Sequence, residues 1–184
     1  MAADARLRLF AAIYPPEDVA RRLIAMFANL DLARNRVTPL SQLHLTVQFI
    51  GPTPVRDLLE VEESLARSVS GISPFDLRIV RLVSLPRRSR VRLVAAELDQ
   101  PPGLMEIQRR LATRLARNVR QKPGDRFLPH MTLCRFGRIA AARDVEVPVD
   151  DTLAFEATEV KLMKSVLKPQ GAAHAVVAIA KLIR

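Results

Sequence analysis

The sequence predicts an α+β fold with mostly antiparallel sheets, built from a duplicated unit. Strands and helices alternate along the chain, but the strands lack the continuous apolar runs that are typical of a parallel sheet. The pattern His-x-Thr occurs twice inside apolar runs, at residues 44–46 (His-Leu-Thr) and 130–132 (His-Met-Thr). Residues 6–13 and 90–97 are identical at five of eight positions, and other short matches keep the same order in both halves. Ordered matches of this kind indicate an internal repeat.

Each unit is predicted to contain an opening strand, a helix, the motif strand and a closing strand. In the first unit, Arg alternates with apolar residues at the start of the opening strand, and two prolines precede the helix. After the motif, Gly51 and Pro52 end the strand and an extra helix follows. The predicted elements are a strand at 7–14, a helix opening at 15–17, a motif strand at 43–50, a helix at 55–68 and a closing strand at 75–85.

The second unit repeats this order without the extra helix. Pro101 and Pro102 open its helix, and apolar residues recur behind them at helical spacing. A final strand completes the chain. The predicted elements are a strand at 91–98, a helix opening at 101–103, a motif strand at 128–133, a loop at 137–151, a closing strand at 153–167 and a final strand at 175–183.

Composition indicates a folded protein outside the membrane. The apolar fraction is 49%, so disorder is not expected. No apolar run approaches the ~20 residues that a membrane-spanning helix needs, and no signal-peptide core follows the polar first residues. Cys134 is the only cysteine, so no intramolecular disulfide forms, which fits a reducing, cytoplasmic compartment. We interpret Cys134 as a small buried hydrophobe rather than a nucleophile.

The charge balance raises the expectation of a polyanionic partner. Lys plus Arg number 29 against 19 Asp plus Glu, which gives a net charge of +10. Most of these cations are Arg, whose planar guanidinium binds phosphate in a bidentate manner. Nucleic acid is one interpretation of this excess. A solvated basic surface with a bias towards Arg is the other, and the charge alone does not choose between them.

The two motifs have the residue types of an acid–base site for a phosphate group. Residues i and i+2 of a strand point to one face, so each motif presents an imidazole beside a hydroxyl. Cleavage of a phosphodiester needs a base on the attacking oxygen and an acid on the leaving oxygen. Histidine titrates near neutral pH and can serve in either role. Threonine hydroxyls can donate hydrogen bonds to phosphate oxygens, and the scheme requires no metal.

Two other interpretations compete with this one. Histidines on strands often have a structural role only, although their recurrence at equivalent positions of a repeat favours a function. A zinc site is the second alternative. It needs a third or fourth ligand, and no Cys, Asp or Glu recurs beside the two motifs. We therefore expect no metal and no other cofactor.

The motifs and their flanks resemble the 2H phosphoesterase superfamily, and within it the RNA 2′,3′-cyclic phosphodiesterase group, also called 2′-5′ RNA ligases. The resemblance lies in residues 9–13, 43–51, 75–77 and 130–135 and spans nearly the whole chain. It implies a duplicated bilobal fold in which two antiparallel sheets, related by a pseudo-twofold axis, surround a central cleft with helices outside. Residues 1–184 would then form a single domain of two pseudo-repeated lobes.

The same resemblance implies roles for the motif residues. His44 would be the general acid that protonates the departing 3′ oxygen, and His130 would be the general base that activates water. Thr46 and Thr132 would hold the phosphate oxygens, and the product would carry a 2′-phosphate. Arg135 matches a basic position of the family's second motif and is a candidate for phosphate binding. The residues alone do not assign acid and base to one histidine or the other.

Three further residues have conditional interpretations. Arg135 lies at an odd offset from His130, so a regular strand would point it away from the site. It contributes only if the strand twists, bulges or ends there. Its counterpart Phe49 has the same offset from the first histidine and is interpreted as core. After Gly171 the family often has an aromatic residue, commonly Tyr, where this chain has His174, which we interpret as surface or structural.

The sequence therefore predicts a metal-independent hydrolase that converts RNA 2′,3′-cyclic phosphate ends to 2′-phosphates. Run in reverse, the same chemistry would join RNA ends through a 2′-5′ linkage. One alternative is a phosphodiesterase for small cyclic nucleotide phosphates. Another is a module that binds RNA ends without turnover. In each case we expect a monomer in the cytoplasm that acts without a membrane.

Overall fold

The computed structural model describes residues 5–32, 35–87, 90–115, 127–137, 144–150, 152–168 and 171–183. No helix among them is long and apolar enough to cross a bilayer. These residues form three α-helices, which are α1 (Glu17–Ala28), α2 (Leu58–Val69) and α3 (Pro102–Leu115). They also form ten strands, which are β1 (Arg6–Ile13), β2 (Asn35–Val37), β3 (Leu45–Pro54), β4 (Phe75–Leu85), β5 (Leu93–Leu98), β6 (His130–Phe136), β7 (Glu146–Pro148), β8 (Ala154–Ala157), β9 (Glu159–Lys168) and β10 (Gly171–Lys181).

The strands form an antiparallel sheet in the order β10-β9-β1-β3-β6-β5-β4-β7, with β2 added at β6 and β8 added at β4. Every pairing among the described strands is antiparallel. This confirms the predicted α+β fold with antiparallel strands. It also follows from the sequence, because the strands alternate apolar and polar residues and have only one face in the main core.

The order of strands in the sheet is symmetric with respect to the two units. The first unit supplies β1, β3 and β4, and the second supplies their equivalents β5, β6 and β9. The central six strands run β9-β1-β3-β6-β5-β4, and exchange of the units reverses that order. The closing strand of each unit therefore pairs with the opening strand of the other. This order is compatible with the pseudo-twofold axis that the resemblance implies.

The two motif strands, β3 and β6, pair with each other at a single position. Leu45 of β3 pairs with Met131 of β6, and both side chains are fully buried. The two predicted sheets are thus joined into one continuous sheet at this point. Because the pair lies at the start of both motif strands, the motif residues of both strands lie beside this junction.

The helices cover one face of the sheet and leave the other face open at the junction. Apolar residues of α1, α2 and α3 share one core with inward-facing strand residues such as Leu9 and Leu133. Neighbours in β1 alternate between this core and a small second cluster on the opposite face, formed by Phe10, Ala12 and Met163. Period-two alternation of this kind is the ordinary consequence of strand geometry. The open face near the second cluster holds the cleft described below.

The remaining differences from the sequence prediction concern the ends and interruptions of strands. The expectation that Gly51 and Pro52 end the motif strand is wrong, because β3 continues through both residues to Pro54 and stays paired with β1. The predicted loop at 137–151 contains β7, and the predicted strand at 153–167 is divided into β8 and β9 around Thr158. The final strand begins at Gly171, earlier than predicted. Strands β2 and β7 have three residues each, which is too short to show a hydrophobic period. Their existence depends on the long strands beside them.

Candidate active site

A cleft of about 600 Å³ lies at the junction of the two halves. It contains both motif histidines, both motif threonines and three arginines. Its lining residues are Arg8, Phe10, Arg36, Val37, Thr38, Pro39, Gln42, His44, Thr46, Phe49, His130, Thr132, Arg135, Ser165, Ala172, Ala173 and His174. The structure therefore brings together every site residue that the sequence predicts, and adds others.

The two histidines are held in the same way. His44 directly precedes β3, and its Nδ1 lies 2.6 Å from the backbone carbonyl oxygen of Gln42. His130 begins β6, and its Nδ1 lies 2.8 Å from the carbonyl oxygen of Leu128. A carbonyl only accepts hydrogen bonds, so Nδ1 is the donor in both rings. The Nε2 atom of each ring is then left to exchange a proton with a ligand.

The motif threonines flank the same space with free hydroxyls. Thr46 and Thr132 both line the cleft. In contrast, the hydroxyls of Thr53 and Thr113 donate to nearby backbone carbonyls. Within the described part of the chain, the hydroxyls of Thr46 and Thr132 have no such partner. Both are therefore available to donate to a bound anion.

A β-bulge in β6 turns Arg135 into the cleft. Consecutive residues of β5, Val94 and Ala95, pair with Cys134 and Thr132, so Leu133 is the extra residue and has no counterpart in β5. The extra residue reverses the inside–outside alternation of the strand. Leu133 and Cys134 are both fully buried, and Arg135 returns to the face of Thr132 and lines the cleft. The condition under which Arg135 was expected to contribute is met.

A second β-bulge occurs at the equivalent position of β3. Consecutive residues of β1 pair with Gln48 and Thr46, so Val47 is the extra residue. Val47 and Gln48 are both buried, whereas Phe49 is 66% exposed and lines the cleft. The interpretation of Phe49 as a core residue is therefore wrong. The physical reason is the bulge, which moves residue i+5 onto the face of the histidine in both motifs.

Aromatic rings surround His44. Its ring centroid lies 5.1 Å from that of Phe10, 5.3 Å from Tyr14 and 5.2 Å from His174. Burial in this setting lowers the pKa of His44 from its ordinary 6.5 to about 4, although the hydrogen bond to the Gln42 carbonyl opposes the change. Positive charge on the neighbouring histidines and Arg135 lowers the pKa further. In the free protein at neutral pH, His44 is therefore neutral.

His174 belongs to the cleft, which sequence reasoning missed. It lies on β10 opposite Ser165 of β9, and its ring meets Phe10 edge to face with 4.9 Å between centroids. Its Nδ1 is buried and has no hydrogen-bond partner. Burial lowers the pKa of His174. The one available signal was its position, because the resembling family often has an aromatic residue there.

The charges of the cleft favour an anion. Arg8, Arg36 and Arg135 line it, whereas none of the lining residues that the structure describes is an Asp or Glu. Cys134 is buried in the core and is not among the lining residues, and burial raises the pKa of its thiol. This is the environment predicted for Cys134. No group of three His, Cys, Asp or Glu side chains among the described residues is placed to hold a metal ion.

Comparisons with known proteins find a matching family profile and similar named proteins. The profile of the 2′-5′ RNA ligase superfamily matches residues 15–168. An RNA 2′,3′-cyclic phosphodiesterase of Thermus thermophilus is 30% identical over 92% of this chain and 87% of its own length. One of Methanocaldococcus jannaschii is 25% identical over 93% of this chain and 98% of its own length.

Solved structures share the fold. A crystal structure of a protein from Thermus thermophilus superposes with a TM-score of 0.81 at 24% identity, covering 96% of this chain and 98% of that one. The crystal structure of E. coli LigT complexed with 3′-AMP superposes with a TM-score of 0.80 at 22% identity, covering 98% of this chain and 100% of that one. At these identities the likeness establishes the architecture.

Proposed function

Because the chain belongs to the 2′-5′ RNA ligase superfamily, we propose that it is an RNA 2′,3′-cyclic phosphodiesterase that produces 2′-phosphate ends. The observation that carries the proposal is the equivalent placement of His44 and His130. Each ring is fixed through Nδ1 by the carbonyl two residues earlier, and both line one cleft whose described lining residues include no carboxylate. Two proton-exchanging groups beside an anion site are what in-line phosphodiester hydrolysis needs. The similar proteins named above as RNA 2′,3′-cyclic phosphodiesterases support the same reaction.

The cyclic phosphate would lie between the two motifs. The hydroxyls of Thr46 and Thr132 would donate to its nonbridging oxygens, and Arg135 would add positive charge. These donors are fixed by strands before the reaction begins. Preorganised donors stabilise the charge that grows on the phosphate oxygens in the transition state.

The proton transfers follow from the two rings. His130 would take a proton from water through Nε2 as the water oxygen attacks phosphorus. The bond from phosphorus to the 3′ oxygen then breaks, and His44 would deliver the proton from its Nε2 to that oxygen. The products are a free 3′ hydroxyl and a 2′-phosphate. Reversal of these steps with a 5′ hydroxyl in place of water would give a 2′-5′ linkage.

His44 can act as the acid only if substrate binding raises its pKa. With a pKa of about 4 in the free protein, His44 carries no proton on Nε2 at neutral pH. A phosphate anion in contact with the ring favours its charged form and raises its pKa. Binding of the substrate would therefore favour protonation of His44, the acid catalyst. The mechanism uses side chains alone and needs no metal.

The supporting architecture fits a self-contained catalyst. We propose that residues 1–184 form one domain of two pseudo-repeated lobes, which acts as a monomer in the cytoplasm. The shared core beneath both halves and the continuous sheet support the single domain. The single buried cysteine is consistent with a reducing compartment.

The test is direct. An RNA oligonucleotide ending in a 2′,3′-cyclic phosphate is incubated with the protein in EDTA, and the product isomer is identified. A 2′-phosphate is expected, and His44→Ala and His130→Ala should each lower turnover by at least ~10²-fold, the usual contribution of an acid–base group. A 3′-phosphate product, or near-normal turnover in both variants, would overturn the proposal. Salt-sensitive binding of the RNA end without any product would instead support a binding module.

A further inference from the structure

Three cleft residues outside the two motifs form a row across neighbouring strands. Arg8 of β1 pairs with Ser165 of β9, which pairs with His174 of β10. Strands are about 4.8 Å apart, so the row spans roughly 10 Å. All three residues line the cleft. We call this row the β10 ledge, and the hydrolysis described above makes no use of it.

Arg8 has no partner within the described residues. Many other arginines do pair with carboxylates, and these are Arg21, Arg67, Arg81, Arg87, Arg109 and Arg110. Arg8 instead lines a cleft in which no described residue is an Asp or Glu. A guanidinium offers several donors in a planar fork that matches two phosphate oxygens. An unpaired Arg8 at this place is equipped to bind phosphate.

Ser165 and His174 add donors beside Arg8. The Ser165 hydroxyl makes no hydrogen bond with the part of the chain that the structure describes, and it can donate to an anion. His174 has its Nδ1 buried without a partner. Buried N–H groups without an acceptor are rare in proteins, so the neutral ring carries its proton on Nε2. That nitrogen is the one a ligand in the cleft can reach.

The ledge starts next to the reaction centre. The ring centroids of His174 and His44 are 5.2 Å apart. Ser165 and Arg8 continue the row from His174 on β9 and β1, which lie between β10 and the motif strand β3. At the 3′ end of an RNA, one ribose separates the 2′,3′-cyclic phosphate from the phosphate on its own 5′ carbon. A ligand with its cyclic phosphate at the histidines would therefore place a second phosphate about one sugar away, and the ledge lines the same cleft as the histidines.

We propose that Arg8, Ser165 and His174 bind the 5′-phosphate of the terminal nucleotide. This inference rests on the proposed function and specifies its substrate class. The protein would prefer an RNA end, or a 5′-phosphorylated nucleoside cyclic phosphate, to a nucleoside cyclic phosphate with a free 5′ hydroxyl. The ledge would recognise the phosphate whatever the base.

The test compares two substrates that differ only at the 5′ carbon. They are adenosine 2′,3′-cyclic phosphate and the same compound with a 5′-phosphate. The wild-type ratio of kcat/KM should favour the phosphorylated compound about tenfold, which corresponds to one charge-assisted contact. Arg8→Gln should bring this ratio close to one. Arg22→Gln removes an equal charge from an exposed position on α1 outside the cleft and should keep the wild-type ratio.

His174 is tested by loss and restoration of a donor. His174→Phe keeps a flat ring but no donor and should lower the ratio. His174→Gln supplies an amide donor and should restore part of it. Because both substrates react at the same histidines, the ratio cancels any change in the environment of His44.

Binding of products provides a readout that does not depend on turnover. Wild-type protein should bind adenosine 2′-phosphate more tightly when the ligand also has a 5′-phosphate, and Arg8→Gln should remove the difference. Equal affinities of the wild type for the two ligands, or a preference for the 5′-phosphorylated ligand that survives in Arg8→Gln, would overturn the proposed 5′-phosphate site. Hydrolysis of both cyclic compounds at one rate would overturn the ledge but leave the proposed function standing. Hydrolysis of neither would overturn the proposed function.

Discussion

Burial of His44 has a measurable consequence for stability at acidic pH. Its pKa falls from 6.5 to about 4 on folding, so between these values the unfolded chain binds a proton that the folded protein does not. Stability therefore rises with pH in this window and is lost as pH falls from about 6.5 towards 4. Replacement of His44 by Gln removes the titrating group and should remove its share of the loss.

The size of the effect follows from the two pKa values. Each pKa unit corresponds to about 1.4 kcal/mol, so the complete contribution is about 3 kcal/mol. Between pH 7 and pH 4.5 most of the transition is complete, and we expect a loss of about 2 kcal/mol from this residue. The carboxylates whose ion pairs lower their pKa, such as Glu97 and Glu159, are present in both proteins, so their contribution cancels in the comparison.

Urea unfolding measures the difference. The free energy of unfolding is determined at pH 7 and pH 4.5 for the wild type and for His44→Gln. The wild type should lose about 2 kcal/mol more than the variant between the two pH values. Lys164→Gln, a partly buried position on β9 outside the cleft lining, should behave like the wild type. Equal losses in wild type and His44→Gln would refute the claim that folding suppresses protonation of His44.

Four further predictions concern the reaction. If the bound phosphate raises the pKa of His44, the alkaline limb of kcat should lie at higher pH than that of kcat/KM, because the latter reports the free enzyme. Thr46→Val and Thr132→Val should each lower kcat about 10²-fold through loss of one phosphate donor, whereas Thr113→Val on α3 should not. Arg135→Gln should weaken binding of adenosine 2′-phosphate and reduce its dependence on salt. EDTA should leave every one of these rates unchanged.

For each of these four predictions, one result would contradict it. If the alkaline limbs of kcat and kcat/KM coincide, substrate binding does not raise the pKa of His44, and the proposed protonation of His44 by substrate binding is wrong. Normal kcat in both threonine variants would place the phosphate elsewhere in the cleft. Unchanged affinity in Arg135→Gln would show that the bulge turns this side chain towards the cleft without a role in binding. Loss of activity in EDTA, restored by a divalent metal, would replace the proposed mechanism with a metal-assisted one.

The repeat explains how much of the site the sequence predicts. His44 and His130 occupy equivalent positions of the two repeated units. Units related by a pseudo-twofold axis place equivalent residues on opposite sides of one cleft. The start of α1, the start of α3 and nearly the whole span of α2 are predicted, because apolar residues recur at helical spacing over three turns or more. Long strands are predicted for the same reason, from their alternation.

The rest depends on events that leave no periodic signal. A bulge at Val47 or Leu133 inserts one apolar residue into a strand that is already apolar, so the reversal of face at Phe49 and Arg135 is invisible until strand register is known. His174 reaches the cleft through pairing of β10 with β9, which is a contact between strands and not a local property. These are the positions where tertiary context decides the outcome.

The central claim is that His44 and His130 act on one phosphate, and histidine NMR tests it most directly. The chain has three histidines, so their ring signals can be assigned with single variants. Adenosine 2′-phosphate should shift the ring signals of His44 and His130 along saturation curves with one dissociation constant, and should raise the pKa of His44. A ligand that shifts only one of these rings, or shifts the two with different dissociation constants, would contradict the account.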